Sequence, residues 1–333
     1  MSRKIIFVFC SILVICFSLI LVSVSIANGT KALNEQKQRE GFTTLLKDQD
    51  ICTLALQDDI LWAGGASGLF KVDTATMLTE KVGDYQFIRA LLVTQDGLWI
   101  GHEDGLTCMD AQTVTYTKEE GLPDNRVNAL LQDSSGRIWA GTWGGAIMLE
   151  NGQMTVYTTQ DGLLDNMVNV LSEDGYGGVW FGSYVAPRGG ISILNSGSWQ
   201  YFTTADDLLH ANINAIIVLQ DGRILAGGGL YNKGGGTYFR RDGEKWQRDS
   251  FLTKEDGLAG EKLRSLYEDR QGNLWVGSEY DGLAVRSSDK TIILTTQNGL
   301  SNNEVKVIKE DEDGTMWIGT RKGLVRIDKG GID

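Results

Sequence analysis

An apolar residue followed by Trp-x-Gly recurs at Trp62, Trp99, Trp139, Trp180, Trp275 and Trp317, and Ile224-Leu225-Ala226-Gly227 keeps the same frame between Trp180 and Trp275. The seven positions stand 37, 40, 41, 45, 50 and 42 residues apart. That is the period of propeller blades. One such unit has two apolar faces and cannot hide both, so the units must stack on one another. The pattern predicts an all-β chain: a seven-bladed β-propeller of four-stranded antiparallel blades.

The clearest unit predicts an inner strand over 127–132, a second over 138–142, a third over 146–149 and an outer strand over 155–158. In its first turn, Asp133 accepts backbone hydrogen bonds and Gly136 takes a positive φ, which sets Trp139 on the face between blades. The same spacing recurs at Asp174, Gly177 and Trp180, at Asp269, Gly272 and Trp275, and at Asp311, Gly314 and Trp317. Gly141, Gly182, Gly277 and Gly319 fall where neighbouring sheets approach. Leu225 fills the tryptophan position with less volume, so its blade is expected either to have compensating partners or to be the weakest one. With 42 Gly and only 2 Pro in 333 residues, the composition suits many short strands and tight turns.

The last repeat ends on a third strand near Leu324–Asp328, and residues 41–46 near the start read as an outer strand without a blade. Joining them closes the ring and removes two open edges. Residues 41–333 are therefore expected to form one domain.

The formal charge of -12 argues against a nucleic-acid partner, because a phosphate backbone would be repelled over much of the surface. Cys10 and Cys16 fall in an apolar leader and Cys52 and Cys108 in different repeats, so free thiols are expected. His102 and His210 occupy different repeat phases without clustered ligands, and no acidic residue repeats toward the channel. Neither a metal nor a cofactor is expected.

Residues 5–27 are uncharged and follow Arg3 and Lys4. At about 1.5 Å per helical residue they are long enough for the hydrocarbon layer of roughly 30 Å. The basic flank predicts a transmembrane anchor in the bacterial inner membrane, with the propeller in the periplasm or outside the cell. Signal cleavage after Ser25-Ile26-Ala27, giving a secreted protein, is the alternative. Residues 28–40 read as a polar tether.

The phrases EEGLPDNRVNALLQDSSGRIWAGTWGG, QDGLLDNMVNVLSEDGYGGVWFGS and QNGLSNNEVKVIKEDEDGTMWIGTRKGL resemble the two-component regulator propeller repeats of bacterial sensor kinases. The resemblance covers residues 41–328. It implies a propeller outside the membrane that senses ligands, often saccharides. The family usually continues into a β-sandwich, a membrane helix and a cytoplasmic kinase. Here a single ring and an N-terminal apolar segment lead to the expectation that any signal passes through a partner protein.

The turns before the inner strands and the loops after the Trp strands are expected to share one face. Asn125, Asn166, Asn212 and Asn303 repeat there, and their amides suit a polyhydroxylated ligand, although their repetition favours local turn capping. The non-repeating Trp143, Tyr184, Arg188, Tyr231, Tyr280 and Arg321 are the other ligand-binding candidates, together with Lys233, His102 and Glu103. Aromatic rings would stack on sugars, and Arg188 or Arg321 would hold a carboxylate. The longer loops over 183–190 and 227–236 have glycines that would permit a lid.

Three functions stay open. The first is an extracytoplasmic ligand-binding or sensory propeller for a saccharide or other small polar ligand. The second is an anchored scaffold for a membrane or periplasmic protein. The third is a polysaccharide lyase or glycoside hydrolase using carboxylates such as Glu103, Asp104, Asp124, Glu279 and Asp281. No catalytic residues are assigned, because these acids fit turns and solvated loops.

Overall fold

The computed structural model describes residues 39–184, 188–206, 208–231 and 233–332. The expected membrane segment at 5–27 and most of the tether lie outside them. Among the described residues no helix is long and apolar enough to cross a membrane. Residues 41–333 form one compact unit.

That unit is seven four-stranded antiparallel sheets, the architecture read from the Trp-x-Gly period. Six sheets each take four consecutive strands. The seventh joins the strands Val305–Glu310, Met316–Thr320 and Gly323–Ile327 to Phe42–Leu45 from the start of the chain. Phe42 pairs with Ile327 and Leu45 with Leu324, so the ring closes as the sequence implied.

The core lies in the seams between blades. Trp139, Trp180 and Trp317 are among the largest fully buried side chains, and each belongs to a cluster that includes residues of the following blade. Trp139 packs with Val168 and Phe181, and Trp317 with Ile51 and Leu54 across the closing seam. The glycine two residues beyond each indole is fixed by close approach. A Cβ on Gly141 would come within 2.7 Å of Val168, and one on Gly319 within 2.9 Å of Ile51.

Asp and Trp act as a pair. Asp133 accepts from the Ser135 and Arg137 N–H groups with one oxygen and from Trp139 Nε1 with the other, at 2.7 Å. The same indole bond joins Trp180 to Asp174, Trp275 to Asp269 and Trp317 to Asp311, at 2.8–3.0 Å. Blade 5 has lost both members, with Leu219 at the aspartate position and Leu225 at the tryptophan position. A buried carboxylate without the indole donor would be costly, so the paired loss is coherent. Leucines fill that seam: Leu225 packs with Leu252, Leu258, Leu263 and Leu266. On its other face blade 5 contributes Trp246, whose Nε1 donates to Asp174 at 2.9 Å.

Two local expectations are revised. The outer strand of blade 3 runs Gln153–Tyr157, ahead of the predicted span. Residues 227–230 and 233–236 form the paired ends of two long strands, Ile224–Leu230 and Lys233–Asp242. A Cβ on Gly228 would strike the Asn212 carbonyl at 1.9 Å, and one on Gly234 the Glu261 carbonyl at 2.7 Å. The glycines here serve close packing between neighbouring loops, which is a poor basis for a lid.

Candidate functional site

Every inner strand is entered through a buried aliphatic residue followed by one that faces the axis. In blades 3 to 7 these pairs are Val127-Asn128, Val168-Asn169, Ile213-Asn214, Leu263-Arg264 and Val305-Lys306. In all five the ladder skips the second residue, as where pairing passes from Val127 to Ala129. Such a bulge leaves one residue unpaired and re-aims its side chain. In blades 1 and 2 the pairs are Ile51-Cys52 and Ile88-Arg89, whose second N–H groups bond to Gly64 and Gly101 at 2.7 and 2.9 Å.

These seven residues, one per blade, line a cavity of about 330 Å³ on the axis, joined by Trp143 and Tyr184 from the loops of blades 3 and 4. This volume is at the small end of the range for ligand pockets. Asn214, Arg264 and Lys306 are shared with a channel of about 520 Å³ lined by residues farther along the inner strands. A separate cleft of about 180 Å³ lies beside the Asp-turns of blades 6 and 7 and shares no residue with the axial cavity.

The lining divides into two arcs. In blades 3, 4 and 5 it is amide: Asn128 Nδ2 donates to the Val168 carbonyl, Asn169 Nδ2 to that of Ile213 and Asn214 Nδ2 to that of Leu263, at 2.8–3.1 Å. The NH2 groups thus clasp each blade to the next. Their oxygens remain available to accept, except that Asn214 Oδ1 also takes a 3.3 Å contact from Asn169. Trp143 is itself covered by the Arg126 guanidinium at 4.0 Å.

The other arc is cationic and its carboxylates stand behind it. Arg89 pairs with Glu103 at 2.8 Å, and Lys306 with Asp50 at 2.7 Å and Glu304 at 3.4 Å. Arg264 stands 3.6 Å from Glu279 and 3.9 Å from Glu304. Burial pulls the Lys306 ammonium down, but the Cys52 thiolate, Asp50 and Glu304 outweigh it and hold the group above its ordinary value. Burial pushes the Glu279 carboxyl up, but hydrogen bonds from Lys262 and Tyr280 and the charge of Arg264 outweigh it and hold the group below its usual range. Both groups are therefore charged at neutral pH.

Of the residues expected to bind ligand, Trp143 and Tyr184 line the cavity. Asn125, Asn166 and Asn303 accept from the Lys118, Thr159 and Thr296 N–H groups at 2.8–2.9 Å, each seven residues earlier, which is turn capping. Asn212 is buried and donates to the Gly229 carbonyl at 3.3 Å. Arg188, Tyr231, Tyr280 and Arg321 are exposed around the rim, where Arg188 stands 3.9 Å from Asp165 and Arg321 3.8 Å from Glu304. None of these eight is among the lining residues. The lining asparagines Asn128, Asn169 and Asn214 escaped the sequence reading, although each lies eleven residues before its Trp or Leu225. Arg264 and Lys306 stand at the same offset.

The histidines are elsewhere. His102 is buried, with Nε2 2.9 Å from Thr107 Oγ1, and His210 Nδ1 accepts from the Asn212 N–H at 3.0 Å. Burial pushes both imidazoles below 6.5, opposed at His102 by Asp104 and reinforced at His210 by Lys262. The unfolded chain therefore binds protons that the fold refuses, so the stability from this source is complete above pH 6.5 and falls as the pH drops toward the folded values. Urea melts at pH 7.5 and 5.5 are expected to show lower stability at 5.5, with a smaller difference in His102→Gln. Equal stability of the unaltered protein at both pH values would remove the effect.

Among the described residues no group of three or more His, Cys, Asp or Glu is placed to hold a metal ion. Cys52 and Cys108 are free thiols, and Cys10 and Cys16 lie outside the described residues.

The model of the two component regulator propeller matches residues 121–144, 257–280 and 299–322, in blades 3, 6 and 7. No curated protein matches the chain. Among solved structures, the extracellular domain assigned to the hybrid two component system BT3049 of B. thetaiotaomicron superposes with a TM-score of 0.74 at 18% identity, over 86% of this chain and 41% of that one. PorZ, a surface component of the type-IX secretion system of Porphyromonas gingivalis, gives 0.63 at 16% over 85% and 47%. Virginiamycin B lyase from Staphylococcus aureus gives 0.64 at 12% over 86% and 99%. This chain thus spans less than half of the first two, and at such identities the likeness is one of fold. The chain is thus a closed seven-bladed propeller in which three blades carry the two-component regulator propeller repeat.

Proposed function

We propose that this chain is an extracytoplasmic sensory propeller that binds a small polar ligand in its axial cavity, held at the membrane by residues 5–27. The observation that carries the reading is the ring of seven axial side chains around about 330 Å³, with Trp143 and Tyr184 beside the amide arc. Amide oxygens that accept, cations that donate and two aromatic rings together suit a hydroxylated molecule better than an apolar one. The described relatives from two-component systems are extracellular domains, which supports the same side of the membrane. The signal would pass to a partner protein.

The test is a calorimetric screen of the propeller against sugars, sugar acids, peptides and metabolites. A saturable ligand is expected, and Trp143→Ala with Tyr184→Ala should weaken it by about tenfold through lost stacking. The melting temperature should hold. Unchanged affinity in the double variant would exclude the cavity, and no ligand at all, with a membrane protein co-purifying, would replace this reading by a docking scaffold.

The scaffold reading has one observation of its own. Tyr231 and Tyr280 are 75% and 52% exposed on the rim of the loop face, where a macromolecular partner would cover them. The enzymatic reading has weaker support. The carboxylates Glu103, Asp124, Glu279 and Asp281 are each engaged by a local partner, Arg89, Arg126, Lys262 and Ser278 respectively.

A further inference from the structure

We infer that the axial cavity is built for an acidic hydroxylated ligand, with its oxyanion seated on Arg264 and its hydroxylated body against Asn128 and Asn169. The inference rests on the cavity being the binding site and adds the class of molecule that fits it. Three features of the lining carry it.

The first is sign. The lining holds three cations, Arg89, Arg264 and Lys306, and no carboxylate. In a chain of net charge -12 this is a local reversal, produced because each partner carboxylate stands outside the lining. An anion entering from solvent therefore meets positive charge and no carboxylate in the lining.

The second is unspent donor capacity. Lys306 is committed to Asp50 at 2.7 Å and Arg89 to Glu103 at 2.8 Å. Arg264 sits 3.6 and 3.9 Å from its two carboxylates, beyond hydrogen-bond reach, so they orient its charge without occupying its N–H fork. A planar guanidinium held in this way accommodates a carboxylate or a sulfate ester through two parallel bonds. Its membership of both the cavity and the deeper channel places it at the junction of the two, within reach of a ligand that enters the cavity.

The third is asymmetry. In blade order the axial residues run Cys, Arg, Asn, Asn, Asn, Arg, Lys, so the amides form one unbroken arc facing the cationic one. Asn128 and Asn169 give their NH2 groups to the next blade and keep oxygens for ligand hydroxyls. A neutral sugar would leave the cationic arc unanswered, and a bare inorganic anion would leave the amide arc and the two rings unused.

The test titrates the full chain with glucuronate and galacturonate, and with glucose and galactose as their neutral counterparts. The acids are expected to bind at least about tenfold more tightly, with that margin shrinking as salt is raised. Arg264→Gln should collapse the ratio toward one, Arg264→Lys should retain part of it, and the rim variant Arg321→Gln should leave it intact. Melting curves of all three variants guard against misfolding, and the lysine variant stands in should the glutamine variant fail to fold. A sugar sulfate that displaces the uronate with the same Arg264 dependence supports the oxyanion seat and names the sulfate ester as its occupant. Equal affinity for acid and neutral sugar, or a ratio that survives Arg264→Gln and Arg264→Lys, overturns the seat while leaving the cavity as a binding site. Binding of none of these sugars at millimolar concentration overturns both.

Discussion

Trp180→Ala is expected to destabilise the propeller by about 3 to 5 kcal/mol, the largest effect of any single side chain. Trp180 is fully buried in the seam between blades 4 and 5. Its ring lies 5.3 Å from Trp246 and 5.5 Å from Phe239 between centroids, and it stacks on Phe202. Truncation would open a cavity that rigid sheets on both sides cannot collapse, and would strip one donor from the buried Asp174 carboxylate. That carboxylate holds the seam by polar means too: its Oδ2 accepts from both Trp180 and Trp246, and its Oδ1 from the Tyr176 and Gly178 N–H groups.

Asp174→Ala is therefore expected to cost about 2 to 4 kcal/mol, because two indole N–H groups lose their acceptor in a dry seam. The double variant should lose less than the sum of the two, since each single change already breaks the shared bond. Chemical denaturation of the three variants measures this. A loss below about 1 kcal/mol for Trp180→Ala would place the residue outside the core.

Removing residues 1–46 is expected to have the second-largest effect. The strand Phe42–Leu45 supplies the outer ladder of blade 7, and Phe42 is buried against Leu300 and Val325. Loss of the ring side chain alone costs about 3 to 5 kcal/mol. Loss of the ladder also bares the Gly323–Ile327 strand along its whole length, an edge that invites pairing with another chain. Light scattering should show association and the melt should fall, whereas a chain beginning at residue 39 should remain monomeric and stable. A monomeric truncated chain with an unaltered melt would mean that closure does not depend on that strand.

How much of this was legible in the sequence differs from residue to residue. Trp139 and Gly141 announce themselves because a blade can be stacked only if each repeat offers a large ring and, two residues on, room for the neighbouring backbone. The Asp133–Trp139 bond was half visible: the turn was legible, but the indole as a further donor to its carboxylate was not. Its clearest trace is blade 5, where Leu219 and Leu225 replace both partners at once. The closing strand was legible because Gly41–Leu46 had no blade and the last blade had no outer strand.

The axial site was less legible. Asn125 and Asn128 lie three residues apart, and both recur in the next repeat as Asn166 and Asn169. Composition gives no reason to prefer either. Strand alternation assigns side chains to the two faces of a blade and none to the axis. Only the two-against-one count with the second strand reveals that Asn128 is the unpaired residue, and that count belongs to the pairing of two strands. Trp143 and Tyr184 were found because they break the repeat on the expected face, and Arg188, Tyr231 and Arg321 were chosen by the same criterion without reaching the lining.

The sequence by itself determined the number of blades, their strand order, the seam-filling indoles and the strand that closes the ring, since these follow from local periodicity and from the need to bury two apolar faces. The tertiary structure alone decided which residues share the axis. Seven side chains spread over Cys52 to Lys306 become neighbours only when the ring closes, and their charges acquire a common meaning only at that distance. A bulge of one residue turned five of them there, in blades 3 to 7.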